Sequence, residues 1–199
     1  MNGVIRMIES KQELYEYLEM DKKALGIKRK FPRPFIDEIW KYEILMRKLA
    51  YLINCKDNFM YKPITLITRL RYEKLGMKLG FSIGINSFGP GLNIAHYGTI
   101  VVNGNARIGS NCWIYPGANI GANTGGPKDV PNIGDNVYIG PGAKLFGNIN
   151  IADNISIGAN AVVTKSFTTS GITIAGVPAK IIKDNNPNGK LMMQRINNN

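Results

Sequence analysis

The chain holds one histidine, His96, in the run Asn93-Ile94-Ala95-His96-Tyr97-Gly98-Thr99. An imidazole gains and loses a proton near neutral pH, so His96 is the residue best suited to general acid–base work. It stands on a stretch whose outward positions are small or polar, where a buried structural role is less natural. The two cysteines, Cys55 and Cys112, give no disulfide framework. Cys112 occupies a small interior position of a repeat and reads as core rather than as a nucleophile. No metal site is expected.

The element that must position His96 is a repeat of period six. Val102, Ile108, Ile114 and Ile120 fall six apart, and after a break so do Ile133, Ile139, Leu145, Ile151, Ile157 and Val163. Glycine follows the aliphatic residue at 109, 121, 134, 140 and 158, and Ala106, Cys112, Ala118, Val137, Ala143 and Ala161 sit two places before it. Neither the helical period of 3.6 nor the strand period of 2 produces this pattern. A three-sided coil does: each side is a short parallel strand, three sides make a turn, and aliphatic residues 18 apart, such as Ile133 and Ile151, stack in columns. Glycine at the corners relieves geometry that a Cβ would hinder. Ile94 and Ile100 also fall six apart, but Val102 restarts the register, so the coil carrying His96 is irregular. A second irregularity separates Ile120 from Ile133, and Gly121–Asn132 reads as a loop leaving the coil.

Three helices are expected before the coil. Residues 10–25 carry Ser10 as N-cap with Glu13 three places on. A second helix spans Phe35–Asn54. A third begins at Pro63, a favoured first helical position, and ends near Gly80. Phe81–Asn93 is the transition, Ile172–Ala175 a last strand, and the tail ending Asn197-Asn198-Asn199 is read as frayed. The fold class is α+β, divided into a helical N-terminal domain (1–80), a β-helix domain (81–182) and a C-terminal tail (183–199).

Of the 199 residues, 25 are Lys or Arg and 14 Asp or Glu, a net charge of +11. Residues 1–80 hold 17 basic against 10 acidic residues. Basic residues are spread out and match no nucleic-acid module, so a polyanionic cofactor fits the charge better than nucleic acid does. Met1–Met20 is charged throughout and no apolar run could cross a bilayer. A cytoplasmic protein without a leader or a membrane span is expected.

Gly89-Pro90-Gly91-Leu92-Asn93-Ile94-Ala95-His96-Tyr97-Gly98, the hexads, the loop after Gly121 and Ala175-Gly176-Val177-Pro178-Ala179-Lys180 together resemble a serine acetyltransferase-type hexapeptide acyltransferase. The resemblance covers roughly Phe81–Ile182, about half the chain. It implies a left-handed parallel β-helix, since spacing alone does not give the hand, and acetyl transfer from acetyl-CoA to a hydroxyl. His96 matches the family's general base. Acetyl-CoA contacts carry over to Pro141, Ala159, Thr164, Lys165 and Lys180, in a groove between coils of adjacent subunits. A homotrimer or a dimer of trimers is implied. A γ-type carbonic anhydrase shares the fold but needs three histidines, and a nucleotidyltransferase would need a phosphate-cradling domain where residues 1–80 read as helical.

The chain departs from the family where serine is held. Ala95 replaces the acid before the catalytic histidine, Val130 aligns with a second histidine, and Phe81 aligns with the acid that orients the first. His96 is expected to be oriented by a backbone carbonyl or by Asn86 or Asn93. A zwitterion needs partners for both its charges. Asn86, Asn93, Tyr97 and Thr99 suit neutral hydroxyls better. The expected acceptor is therefore a glycan hydroxyl in surface polysaccharide synthesis. Serine O-acetylation in cysteine biosynthesis is the alternative, and a non-enzymatic trimeric scaffold the third reading.

Overall fold

The computed structural model describes residues 7–56, 58–126 and 128–197. The helices are α1 (Lys11–Ala24), α2 (Glu38–Cys55), α3 (Lys62–Leu79) and α4 (Pro187–Asn197), with a 3-10 turn over Phe59–Tyr61. Ser10 caps α1 by accepting from the Glu13 N–H, while the Glu13 carboxylate reaches back to the N–H of Glu9. α2 starts three residues later than the sequence implies. Phe35 holds a left-handed φ of 62°. Asp37 then gathers the Arg33 N–H and the Arg29 and Arg33 side chains before the helix begins. α3 ends at Gly80, whose φ of 82° is the left-handed cap that glycine adopts without steric cost.

Among the described residues fourteen short strands follow. β1 (Phe81–Ile83), β3 (Ile100–Val102), β6 (Asn119–Gly121), β9 (Lys144–Phe146) and β12 (Val162–Val163) form one parallel face. β4 (Arg107–Ile108), β7 (Asn132–Ile133) and β10 (Asn150–Ile151) form the second. The third is β2 (Asn93–Ile94), β5 (Trp113–Ile114), β8 (Tyr138–Ile139), β11 (Ser156–Ile157) and β13 (Thr173–Ala175), with β14 (Lys180–Lys183) antiparallel at its edge. The chain visits the faces in rotation, so this is the three-sided coil the hexads imply. Ile94, Ile114, Ile139, Ile157 and Ile174 pair in succession as one buried column. Val102, Ile120, Leu145 and Val163 form another, and Ile108, Ile133 and Ile151 a third. The Gly121–Asn132 excursion leaves between β6 and β7 without disturbing this register.

The corners differ from the expectation in one respect. Left-handed backbone falls on Asn111, Asn136, Asn154 and Asn160 as well as on Gly117 and Gly142. Asn111, Asn136 and Asn154 hydrogen-bond in a ladder from coil to coil that ends on Ser170. Asparagine tolerates this conformation because its short polar side chain bonds locally. Gly109, Gly134 and Gly140 are required for closeness instead. A Cβ on Gly140 would lie 2.7 Å from the Ile157 carbonyl oxygen in the next coil.

One buried apolar cluster runs from Tyr42, Met46 and Leu49 of α2 through Tyr72 of α3 into the columns. The Tyr42 and Tyr72 rings stack at 4.8 Å, and the Tyr42 hydroxyl donates to that of Tyr72, which donates to the Ile83 carbonyl. The tail does not read as the sequence suggested. Residues 183–197 continue from β14 into α4, which packs on α1 and β11. Met192 is buried, and the Arg195 guanidinium lies 4.9 Å from the Trp113 ring centre. Asn198 and Asn199, also read as frayed, lie outside the described residues. No helix among the described residues is long and apolar enough to cross a membrane.

Candidate active site

His96 sits on the corner between β2 and β3. From Ile94 to Val102 is eight residues, whereas Ile114 to Ile120, Ile139 to Leu145 and Ile157 to Val163 are six each. The two extra residues widen this corner, and His96 and Tyr97 are exposed on it. The corner is anchored from below: Gly98 N–H donates to the Leu79 carbonyl at 2.9 Å and Ile100 N–H to that of Gly80 at 3.0 Å. The end of α3 thus fixes one flank of the histidine loop.

A buried polar network fixes the other flank. Arg47 of α2 pairs with Asp21 of α1 at 2.8 Å and donates at 2.7 Å to each of the Phe88 and Gly89 carbonyls. Asp21 accepts at 2.9 Å from each of the Gly91 and Leu92 N–H groups. Asn93 donates to the Ala24 carbonyl at 2.6 Å, and Glu43 accepts from the Ile94 N–H at 3.3 Å. Burial first, and then the Asp21 carboxylate, push the Glu43 pKa well above the ordinary carboxylate range. The helices therefore grip the entire strand leading to His96 by its backbone. Sequence reasoning missed these groups because their partners lie up to 71 residues away. The available signal was Glu43 and Arg47 falling on the packed faces of a helix.

Two expectations about His96 are corrected. Asn93 faces the helices, and Asn86 exchanges hydrogen bonds with Asn54 at 3.2 Å, so neither orients the imidazole. Phe81, at the aligned position of the orienting acid, is buried against Tyr42. The neighbour of His96 is an aromatic row instead: Tyr115 at 6.3 Å between ring centres, then Tyr138 at 5.1 Å from Tyr115. Burial, reinforced by Tyr115, pushes the Tyr138 hydroxyl up to about 12, so it stays protonated near neutrality.

The ladder places His96 in register with Pro116, Pro141 and Ala159 on successive coils, because the preceding residues Ala95, Tyr115, Gly140 and Gly158 donate in the same pattern to the next coil. Pro141 and Ala159 are exposed on this ridge. Thr164 and Lys165 are exposed beyond β12, at the next corner, with Lys165 Nζ 5.5 Å from the Phe167 ring centre. Lys180 is exposed at the start of β14. His96, Pro141 and Ala159 are thus brought onto one edge, and the other three lie on neighbouring elements. Val130 is half-buried against the coil core and presents no charge.

A cavity of about 420 Å³ opens beside this corner, lined by Ala95 and Tyr97 on the coil side and by Arg29, Asp37, Glu38 and Trp40 on the helix side. The Arg29 guanidinium lies 5.7 Å from the Trp40 ring centre and donates through Nε and Nη2 to Asp37 at 3.0 and 2.5 Å. Burial alone would raise the Asp37 pKa, but hydrogen bonds from Arg29 and Arg33 outweigh it and hold the carboxyl well below the usual range. Asp37 is therefore ionised throughout the working range of pH. Glu38 pairs with Lys78 at 2.7 Å. Both signs of fixed charge stand where the alignment of Ala95 and Val130 had implied none.

A serine acetyltransferase of Staphylococcus epidermidis is 43% identical over 157 residues, covering 76% of this chain and 70% of the relative. One from Staphylococcus aureus is 43% identical over 147 residues, covering 73% of this chain and 63% of the relative. Among solved structures, serine acetyltransferase from Brucella abortus in complex with coenzyme A matches with a TM-score of 0.67 at 26% identity, over 90% of this chain and 72% of that one. No family model matches. The expectation of a glycan acceptor is overturned by these relatives, and two of the four groups it rested on, Asn86 and Asn93, are engaged elsewhere. The chain is an acyltransferase and belongs to the serine acetyltransferase family of hexapeptide-repeat enzymes.

Proposed function

We propose that the chain transfers an acetyl group from acetyl-CoA to the hydroxyl of serine, the reaction that feeds cysteine biosynthesis, in the cytoplasm. The reading rests on one placement: an exposed histidine on a widened corner, heading the Pro116–Pro141–Ala159 edge, whose chain neighbours Ala95 and Tyr97 line a cavity with charges of both signs. Acetyl-CoA supplies the acyl group as a thioester. His96 accepts the proton of the serine hydroxyl as that oxygen attacks the carbonyl, and returns it to the departing sulfur. Holding both substrates together supplies much of the rate without a covalent acyl-enzyme. Pro141 and Ala159 line the path of the cofactor arm, Thr164 and Lys165 its further course, and Lys180 lies near the phosphates. Arg29 offers Nη1, which is unpaired among the described residues, to the serine carboxylate, and Glu38, whose Oε2 is held by Lys78, offers its other oxygen to the ammonium.

The family relationship supports a left-handed coil and an assembly of three, or of two trimers, in which a neighbour's coil completes the cofactor groove. Mass-spectrometric detection of O-acetylserine, with coenzyme A released in equal amount, tests the reaction. Coenzyme A release that proceeds unchanged without serine would refute it.

A further inference from the structure

Only a narrow stripe of α3 packs inward: Thr68, Tyr72, Gly76 and Leu79 are buried. Helical geometry puts Pro63, Leu66, Ile67, Leu70 and Met77 on the opposite side, and all are exposed. Ile67 is 51% exposed, Leu70 56% and Met77 77%, and the 3-10 turn before the helix adds Phe59 at 81%. Large apolar side chains exposed together on one helix face, here dense over residues 63–70 and resumed at Met77, mark an interaction surface.

The charges beside this row select the partner. Lys62 and Arg69 flank it on one side and Arg71 and Lys78 on the other, and Lys74 stands within it before Met77, against one carboxylate on the helix, Glu73. Lys78 is paired with Glu38, and Lys62, Arg69, Arg71 and Lys74 form no ion pair among the described residues. A second copy meeting this face about a two-fold axis would oppose the same basic flanks to each other. Nucleic acid would meet the lysines and arginines but leave the isoleucine and leucines unused. An apolar row bordered by Lys and Arg matches the interface of a bilayer bearing anionic headgroups. We infer that the outer face of α3 docks on an anionic lipid surface, with Ile67 and Leu70 entering the headgroup boundary. The inference is independent of the acyl-transfer reading.

The test is co-sedimentation of the full chain with vesicles of phosphatidylcholine alone or mixed with phosphatidylglycerol. Binding to the anionic vesicles only is expected, weakening as salt is added. I67N/L70N and R71E/K74E should each bind at least about tenfold less, with unchanged circular dichroism and mass by light scattering. Absence of binding to anionic vesicles overturns the inference, as does equal binding to both kinds. So does a fall in assembled mass for I67N/L70N, which would make this face a contact between copies. Retention on a homopolymeric RNA but not on anionic vesicles also overturns it.

Discussion

Arg29 and Glu43 carry the two predictions that belong to single side chains. Arg29 is held against Trp40 and Asp37 and lines the cavity, with Nη1 unpaired among the described residues. Arg29→Met should raise KM for serine by at least about tenfold and change kcat less, since a charge-assisted bond to a carboxylate acts on bound substrate as much as on the reacting state. A serine titration at saturating acetyl-CoA reads this directly, and an unchanged KM would remove Arg29 from the site. Glu43 has a folded pKa raised by burial and by Asp21. What it contributes to stability is fully present below its unfolded pKa and declines as pH rises toward the folded value. Glu43→Gln does not titrate, so its melting temperature should gain on that of the wild type between about pH 5 and pH 8. A gap that stays constant or narrows would contradict the assignment. At this scale the exposed place of His96 on an irregular corner was legible in the sequence, because a lone histidine at a register break needs no partner to be noticed. Arg29 was not: its meaning depends on the α1–α2 connection folding back beside Ala95 and Tyr97, which no local pattern encodes.

The hexads read most directly at the scale of elements. A six-residue period with aliphatic residues in phase leaves one interior for them, and the observed pairing of Ile139 with Ile157 follows from their spacing alone. The same pattern shows what a truncation would do. Ile114 is fully buried between Ile94 and Ile139, in a stack fixed by backbone hydrogen bonds on both sides. Ile114→Ala should cost about 2–5 kcal/mol, toward the upper part because the coils cannot collapse into the gap. Chemical denaturation should show this as a lower midpoint, and a cost below about 1 kcal/mol would mean that the stack relaxes. The corners were less legible. Glycine was read as relief from backbone strain, yet Gly109, Gly134 and Gly140 serve close approach between coils while asparagines take the left-handed positions. The tail helix was missed because it opens on the turn-like run Pro187-Asn188-Gly189, and its packing rests on Met192 and on Arg195 over Trp113.

Across the whole molecule, α2, α3 and the coil share one apolar cluster and α1 is tied to them by the Asp21–Arg47 pair, so the helices act as the mount for the histidine corner rather than as an appendage. Three flat faces and an exposed edge favour self-association, and light scattering should give the mass of a trimer or of two trimers. A stable, fully active monomer would refute the shared groove. The measurement that bears most directly on the account is steady-state acetyl transfer from acetyl-CoA to L-serine, wild type beside His96→Ala. The wild type should form O-acetylserine with kcat/KM within about 10⁴–10⁸ M⁻¹s⁻¹. His96→Ala should lower kcat by roughly 10²–10⁴ and leave coenzyme A affinity nearly unchanged. No O-acetylserine from the wild type, or near-wild-type turnover by the variant, would contradict it.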